Sequence, residues 1–281
     1  WRPGQRIVSD NTGHVCGRCP ACERGDYLLC SEKVNLGLGY GYSGGFTKYC
    51  RIPGEILAIH KRAIWEIPEG LEYEEAAVMD PICNAYKAIA QRSGLLPGEN
   101  VVIFGTGPLG LFSVQIAKIM GALNIVVVGL EEDVKVRFGV ARQLGATEVV
   151  NGSAEDVVQR CQEICGGSDS IGLVVDCAGA NICLKQAIEM VRCNGEIVRV
   201  GMGFKPVGFS INDISMKAVS IIGHMAYDAT SWRNALQLLA AGRIQVKPMI
   251  THRLGLSRWE EGFEAMANKE AIKVILTYDF D

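Results

Sequence analysis

The chain has 281 residues, of which 48% are hydrophobic, and it carries a formal net charge of −3. This length suffices for one or two domains with a large core, and the mild charge gives no electrostatic reason to expect nucleic acid or an anionic membrane as a partner. The apolar runs are as short as strands, which predicts that no transmembrane helix is present. No signal-peptide pattern opens the chain, and its start without Met indicates the middle of a domain.

The first chemical feature along the chain is a group of four cysteines in a short loop rich in Gly and Pro. Their spacing, C-x2-C-x2-C-x7-C, can surround one tetrahedral Zn²⁺, because two intervening residues form a turn that brings both sulfurs to one ion. All four ligand positions are filled, so we expect a closed, structural zinc site formed by Cys16, Cys19, Cys22 and Cys30.

Other interpretations of these four cysteines are weaker. The chain has 11 cysteines, an odd number, and those outside the loop are scattered, which is typical of reduced thiols in the cytoplasm. We therefore expect a cytoplasmic protein and disfavour two disulfides or a redox C-x-x-C pair. A nucleic-acid-binding zinc ribbon is a further alternative, but it usually has basic neighbours, and here Glu23, Asp26 and Glu32 dilute Arg18 and Arg24.

The next segment is interrupted by Gly and Pro, which suggests a small β-rich unit that includes a strand-like piece at Phe46–Ile52. Asp80 follows, directly before Pro81 and within apolar residues. A carboxylate in such a place is costly unless it is paired or bound to a metal. It could equally be the N-cap of a helix that runs through Ala90, and spacing alone favours the cap. His60 has no assigned role.

A strand, a tight glycine turn and a helix follow one another in the order that a dinucleotide site requires. Val101–Phe104 is apolar and β-branched, the turn reads GTGPLG, and Leu111–Met120 has helical periodicity.

Each glycine of this turn has a distinct expected role. The first, Gly105, adopts backbone angles that a side chain would forbid, Gly107 lets the backbone approach a pyrophosphate, and Gly110 lets the helix pack close to the strand. The N–H groups at the helix start then face the anion. The predicted cofactor contacts in the turn are Gly105, Gly107, Pro108, Leu109 and Gly110.

The second strand of this unit, Asn124–Val128, leads to a run of acidic residues. An acid about 20 residues after the first glycine commonly binds the adenosine ribose of NAD, and Glu131 or Glu132 could do so, although Gly129 holds the strand-end position where that acid is first expected. These carboxylates would repel a 2′-phosphate, so NAD is favoured over NADP. Arg137 could contact the adenosine or could be an ordinary surface arginine.

Strands continue to alternate with helices up to residue 222, which predicts an α/β fold with a doubly wound parallel sheet of the Rossmann type. Ligands bind such sheets at the carboxyl ends of the strands. One crevice is therefore expected to contain the glycine turn, Glu131, Cys177–Gly179 and Val200–Gly203, with Cys177, Val200 and Gly201 as candidate cofactor contacts.

Several ordered motifs together resemble the zinc-dependent medium-chain dehydrogenase/reductase family of alcohol, polyol and threonine dehydrogenases. The resemblance covers essentially the whole chain. It rests on the four-cysteine loop, Gly44-Gly45-Phe46 with Tyr49, Glu75-Ala76-Ala77, the GTGPLG turn, VVDCAGA at Val174–Ala180 and ITHRLGL at Ile250–Leu256.

The resemblance implies a GroES-like catalytic domain that is split in sequence around the dinucleotide domain. The expected division is 1–86 and 225–281 for the catalytic domain and 87–224 for the Rossmann domain. It further implies that Asp80 is a catalytic residue, as a ligand of a catalytic zinc. Asn84 would lie near the nicotinamide, Lys273 would contact the pyrophosphate, and Val200–Gly203 would form the wall beside the nicotinamide ring.

The implied activity is the reversible, zinc-dependent oxidation of a secondary alcohol to a ketone, with hydride transfer to NAD. A carboxylate at Asp80 favours a polyol or sugar alcohol, with threonine-type amino alcohols second. The family places a Cys and a His ligand upstream of the cysteine loop, and this sequence has neither, so we expect an N-terminally incomplete chain. Two alternatives stay open: a non-catalytic chain that binds zinc and dinucleotide, and a reductase of the same superfamily without catalytic zinc. The family also implies a homodimer or homotetramer.

Overall fold

The computed structural model describes residues 1–33 and 37–280 and divides them into two compact units. The second unit consists of Asn84–His224 and Arg243–Met249, and the remaining described residues form the first. The expected division differs in two places, because it assigns 84–86 and 243–249 to the catalytic domain, whereas both segments belong to the second unit. The boundary near residue 84 falls inside a helix.

The strands of the described chain are β1 (Ile7–Ser9), β2 (Ile64–Glu66), β3 (Asn100–Phe104), β4 (Ile125–Gly129), β5 (Glu148–Asn151), β6 (Ile171–Asp176), β7 (Glu196–Arg199), β8 (Ser220–Gly223), β9 (Ile250–Gly255) and β10 (Lys273–Thr277).

The α-helices are α1 (Pro20–Glu23), α2 (Gly54–Ile59), α3 (Tyr73–Ala76), α4 (Met79–Tyr86), α5 (Pro108–Ile119), α6 (Arg137–Leu144), α7 (Val157–Cys165), α8 (Asn181–Met190), α9 (Ile211–Ser215), α10 (Ala229–Ala240) and α11 (Trp259–Ala267). None of the helices described is long and apolar enough to cross a membrane.

A parallel sheet of six strands, in the order β5-β4-β3-β6-β7-β8, forms the centre of the second unit. The strand order reverses between β3 and β6, and this reversal is the topological switch point at which ligands bind doubly wound sheets. Continuous apolar runs build its core, since strands covered on both faces have no polar side; Val102, Val126 and Val174 are fully buried there. The predicted Rossmann sheet is confirmed.

The first unit holds two small sheets. Strands β1 and β2 pair antiparallel, and β9 and β10 pair parallel. The indole rings of Trp65 and Trp232 stack with their centroids 6.2 Å apart, and Tyr227 packs edge-on against Trp232 at 5.5 Å. The strand expected at Phe46–Ile52 is wrong: this segment is irregular and almost wholly exposed, so it has no apolar face to bury in a sheet.

Candidate dinucleotide and zinc sites

The glycine turn leaves the sheet at the switch point. Gly105 follows β3 with φ of +102°, in the region that only glycine enters readily, and its N–H donates to the Val128 carbonyl at 2.8 Å. Gly107 is the N-cap of α5, Pro108 occupies its first turn, and the Leu111 N–H donates to the Gly107 carbonyl at 2.9 Å. The N–H groups before Leu111 therefore point out of the helix end.

The space around the turn differs sharply between its glycines. A Cβ added to Gly110 would collide with the carbonyl oxygen of Gly105, so helix and strand approach too closely for any side chain. A Cβ added to Gly107 would have no described atom within 4 Å. Open space in front of a helix N-terminus fits an anion such as a pyrophosphate. The contacts assigned to this turn, including Leu109, stay predictions.

The loops that follow β6 and β7 lie against each other at the carboxyl end of the sheet. The Cys177 N–H donates to the Phe104 carbonyl at 2.9 Å, and the N–H groups of Val200 and Gly201 donate to the Asp176 carbonyl at 2.9 and 2.7 Å. These bonds bring Cys177, Val200 and Gly201 to the sheet edge that carries the glycine turn, as the strand order requires. Their contact with a cofactor stays a prediction.

An ion pair that the sequence did not reveal fixes these two loops. Asp176 is completely buried and accepts hydrogen bonds from the N–H groups of Ala178 and Gly179 at 3.0 and 2.8 Å. Arg199 donates to its carboxylate at 2.6 Å and to the Gly179 carbonyl at 2.8 Å. Burial raises the pKa of Asp176 above its ordinary value, while Gly179, Arg199 and Ala178 act in the opposite direction.

The thiol of Cys177 is unsuited to nucleophilic chemistry. Burial raises its pKa to about 12, and the hydroxyl oxygen of Ser113 lies 3.5 Å from its sulfur. At neutral pH the group is therefore a neutral thiol.

Glu131 and Arg137, the two residues expected to contact the adenosine, follow β4 and have different partners. Glu131 is exposed, and its carboxylate accepts from the Asn151 amide at 2.6 Å. Arg137 donates to Asp133 at 3.2 Å, and only 11% of the arginine side chain and 7% of the aspartate side chain are exposed. Arg137 is therefore not an ordinary surface arginine, and Asp133 is a partner that the sequence analysis missed.

The four cysteines predicted to bind zinc converge in the first unit. The sulfurs of Cys16, Cys19, Cys22 and Cys30 all lie within 4.8 Å of one another, and all four thiols are free. Zinc–sulfur bonds of about 2.3 Å require tetrahedral sulfurs roughly 3.8 Å apart, and two of these sulfurs are 4.0 Å apart. The donor set therefore fits Zn²⁺, and the fold keeps the sulfurs together without a disulfide.

Backbone hydrogen bonds support this loop. The Cys16 N–H donates to the Cys30 sulfur and the Cys19 N–H to the Cys16 sulfur, each at 3.3 Å. Backbone hydrogen bonds involving Cys22 and Ser31 lower the pKa of Cys19 to about 6, whereas burial raises the pKa of Cys22 to about 12. Backbone donors of this kind suit a structural metal site, because thiolate charge is then shared between metal and main chain.

The loop packs on a buried hydrogen-bonded pair, Asp10 and His60, that the sequence left unassigned. The Tyr27 ring lies 4.1 Å from the His60 ring, and His60 Nε2 is 2.8 Å from the carboxylate of Asp10. Both Asp10 and His60 are buried. His60 is therefore a core residue of the first unit.

Asp80 occupies the second position of α4, so it lies within the first turn and is not the N-cap. Burial lowers the pKa of Lys273, and the negative charge of Asp80 counters part of that shift, so the two side chains are electrostatic neighbours in the first unit. Asn84 belongs to the second unit, where its side-chain oxygen lies 3.1 Å from His224 Nε2. Among residues 1–33 and 37–280, Asp80 is not part of any group of three potential metal ligands. The roles of Asp80, Asn84 and Lys273 stay predictions.

Two family models match the chain. Residues 108–241 match the model described as zinc-binding dehydrogenase, and residues 1–62 match the model described as alcohol dehydrogenase GroES-like domain. The first match contains the helix of the glycine turn, and the second contains the four cysteines.

Similar proteins cover nearly the whole chain. The chain is 72% identical over 282 residues to the uncharacterized zinc-type alcohol dehydrogenase-like protein YdjL of Escherichia coli, spanning 100% of this chain and 78% of that protein. It is 32% identical over 275 residues to sorbitol dehydrogenase of Halalkalibacterium halodurans, spanning 98% and 76%. A solved zinc-binding dehydrogenase of Sinorhizobium meliloti, bound to NADP, superposes with a TM-score of 0.84 at 27% identity, covering 98% and 77%.

Proposed function

Because this chain belongs to the zinc-dependent medium-chain dehydrogenase family and is thus an oxidoreductase of the alcohol dehydrogenase type, we propose that it oxidises a polyol or sugar alcohol reversibly with NAD. The observation that carries the proposal is the glycine turn at the switch point, with the helix end of α5 facing open space at Gly107. A pyrophosphate is the anion that such a turn receives.

The proposed cofactor site uses backbone more than side chains. Gly105 to Gly110 would receive the pyrophosphate, with N–H groups of the first helical turn as donors. Cys177, Val200 and Gly201 would line the nicotinamide end, held in place by Asp176 and its arginine. Rigid loops at this point matter because hydride transfer requires a fixed ring position.

We favour NAD over NADP. The acidic residues after β4 would repel a 2′-phosphate, and Arg137 is already engaged with Asp133. The solved Sinorhizobium meliloti dehydrogenase is bound to NADP, so the binding of NADH and NADPH to this chain has to be compared directly.

The four cysteines would hold a structural zinc ion. With every ligand position taken by a thiolate, the ion has no open site for substrate and acts as a cross-link of the loop. A second, catalytic zinc would be held in part by Asp80, and bound there it would supply Lewis-acid chemistry. Within residues 1–33 and 37–280, Asp80 does not belong to a group of three potential metal ligands, so we assign no further residue to that ion. Lys273 is the electrostatic neighbour of Asp80 in the first unit.

We further propose a cytoplasmic homodimer or homotetramer, with no nucleic acid or membrane as partner. The mild net charge supports the absence of nucleic acid as a partner, and the free cysteines support the cytoplasm. The proposed assembly follows from the family resemblance alone. A size measurement in solution tests the assembly, and a monomer at micromolar concentration would contradict it.

A substrate survey tests the proposed function. NADH formation is followed at neutral to alkaline pH with sorbitol, L-threonine and 2-propanol as representatives of polyols, amino alcohols and simple alcohols. We expect the highest kcat/KM with the polyol. Preferential oxidation of L-threonine would establish the amino-alcohol alternative. NADH binding without turnover of any alcohol would establish the non-catalytic alternative.

The variant Asp80→Asn tests the assigned ligand. We expect it to lose polyol oxidation while keeping NADH binding. The matched control is Asp213→Asn, an aspartate in the first turn of α9. Full activity of Asp80→Asn would instead support a reductase without catalytic zinc.

A further inference from the structure

The position at which a Rossmann sheet usually carries its ribose-binding acid has no room for a side chain here. Gly129 ends β4, and a Cβ added to it would lie 2.5 Å from Phe138 Cε1, 2.8 Å from Thr106 Cγ2 and 2.9 Å from Asp133 Oδ2. A side chain at this position would therefore force the side chains of Phe138, Thr106 and Asp133 to shift. Thr106 belongs to the glycine turn, so these three residues meet beside the proposed cofactor path.

The carboxylate of Asp133 fills the place of the missing side chain. Its Oδ2 accepts from the Leu130 N–H at 2.8 Å, and its Oδ1 accepts from Arg137 at 3.2 Å. Asp133 is only 5% exposed, so these bonds fix its orientation. A negative charge therefore does stand at the strand end, but it comes from four residues further along the chain.

Glu131, the acid nominated by sequence spacing, has different partners. Its carboxylate accepts from the Asn151 amide at 2.6 Å, and its N–H donates to the Ser153 hydroxyl at 3.1 Å. These bonds connect the segment after β4 to the last residue of β5 and to the loop after it. Glu131 is exposed and thus well solvated, which weakens its effect on a bound phosphate.

We propose that Asp133 sets the preference of this chain for NAD over NADP by engaging Arg137 in a buried ion pair beside Gly129; the inference rests on the proposed dinucleotide site. An arginine near this strand end is the usual partner of a 2′-phosphate. Here the guanidinium is held by Asp133, and the carboxylate itself repels the dianionic phosphate. Asp133 is a positioning residue, because it acts on the cofactor through Arg137 and through its charge.

The test measures the dissociation constants of NADH and NADPH by their fluorescence, which requires no turnover. The wild-type chain should bind NADH more tightly. Asp133→Asn keeps the shape of the side chain and an acceptor for the Leu130 N–H, but removes the charge that holds Arg137. We expect the ratio of the NADPH to the NADH dissociation constant to fall at least about tenfold, the size of one hydrogen bond to a charged group.

A second variant moves the ratio in the opposite direction. Arg137→Gln leaves the Asp133 charge without its guanidinium, so NADPH binding should weaken further while NADH binding changes less. In the double variant, most of the NADPH affinity gained by Asp133→Asn should be lost again. This reversal separates the proposal from a merely structural role, since two destabilising changes would weaken both cofactors alike.

Two comparison variants complete the design. Glu163→Gln removes a carboxylate that pairs with Arg160 at 3.5 Å on the exposed side of α7, and it should leave both dissociation constants unchanged. Glu131→Gln should shift the ratio less than Asp133→Asn does. Thermal melting of every variant confirms that it is folded.

The outcomes distinguish the two levels of the proposal. Wild-type protein that binds neither NADH nor NADPH overturns the dinucleotide site and the inference with it. Binding of NADH with an unchanged ratio in Asp133→Asn and Arg137→Gln, or a larger shift in Glu131→Gln, overturns the inference alone. Opposite shifts in the two single variants, with reversal in the double variant, support it.

Discussion

Alanine substitutions at Gly107 and Gly110 of the dinucleotide turn, with Gly139 of α6 as a control, test the turn's packing and its role in cofactor binding. At Gly110 the added Cβ would collide with the Gly105 carbonyl, so α5 must move away from β3. Overpacking of a core usually costs about 1–3 kcal/mol, and a backbone atom cannot give way as a side chain can. The collision with backbone places the cost at the upper end of this range, about 3 kcal/mol. Because Ala gains about 1 kcal/mol over Gly within a helix, we expect a net loss of about 2 kcal/mol in the free energy of unfolding.

The control is Gly139, which lies inside α6 with no described atom within 4 Å of an added Cβ. Gly139→Ala should gain about 1 kcal/mol from helix propensity. Gly107→Ala should cost no more than about 1 kcal/mol, the difference between Gly and Ala as an N-cap, because its Cβ enters open space. That space is the proposed pyrophosphate site, so Gly107→Ala should nevertheless weaken NADH binding.

The assay is urea unfolding followed by circular dichroism, with NADH fluorescence titration on the same samples. We expect stability and cofactor binding to change independently: Gly110→Ala loses stability, Gly139→Ala gains it, and Gly107→Ala loses binding. Equal stabilities of Gly110→Ala and Gly139→Ala would refute the close approach of helix and strand. Unchanged NADH binding in Gly107→Ala would refute the site.

Three further predictions follow from the second unit and the cysteine loop. Arg199→Gln leaves the buried Asp176 carboxylate without its ion-pair partner and should lower the free energy of unfolding by about 3 kcal/mol. Adding Asp176→Asn should restore part of this stability, because it removes the uncompensated charge. Urea unfolding measures both variants, and equal stabilities of the single and the double variant would contradict the role of the ion pair. Burial raises the pKa of the Cys161 thiol from about 9 to about 12, so the neutral buried thiol contributes fully to the free energy of unfolding below pH 9. Between pH 9 and pH 11 this contribution should fall by about 2–3 kcal/mol. Cys161→Ala should therefore lose less stability over this pH range than the wild-type chain, and an equal loss in both would contradict the prediction. A strong chelator should make four further thiols reactive towards a colorimetric thiol reagent, and an equal reaction before and after treatment would exclude bound zinc at Cys16, Cys19, Cys22 and Cys30.

The parts of this protein that sequence predicts well are those encoded by residue type at short range. The φ of +102° at Gly105 and the tight contact at Gly110 both favour glycine strongly, so the GTGPLG motif predicts them directly. The cysteine spacing is equally local, because C-x2-C fixes a turn. Alternation of strands with helices then determines the parallel sheet and its switch point.

The parts that sequence did not predict depend on partners far apart in the chain. Asp176 meets Arg199 across 23 residues and Asp10 meets His60 across 50, and no spacing rule connects either pair. Spacing nominated Glu131 for the ribose, whereas the space at Gly129 is filled by the carboxylate of Asp133. Packing, rather than periodicity, determines each of these contacts.

Titration of the purified protein with NADH tests the central claim most directly. We expect one cofactor per chain, with a dissociation constant well below ~1 mM and with much weaker binding by Gly107→Ala. Absence of binding at millimolar NADH, in a sample that is folded and carries its zinc, would contradict it.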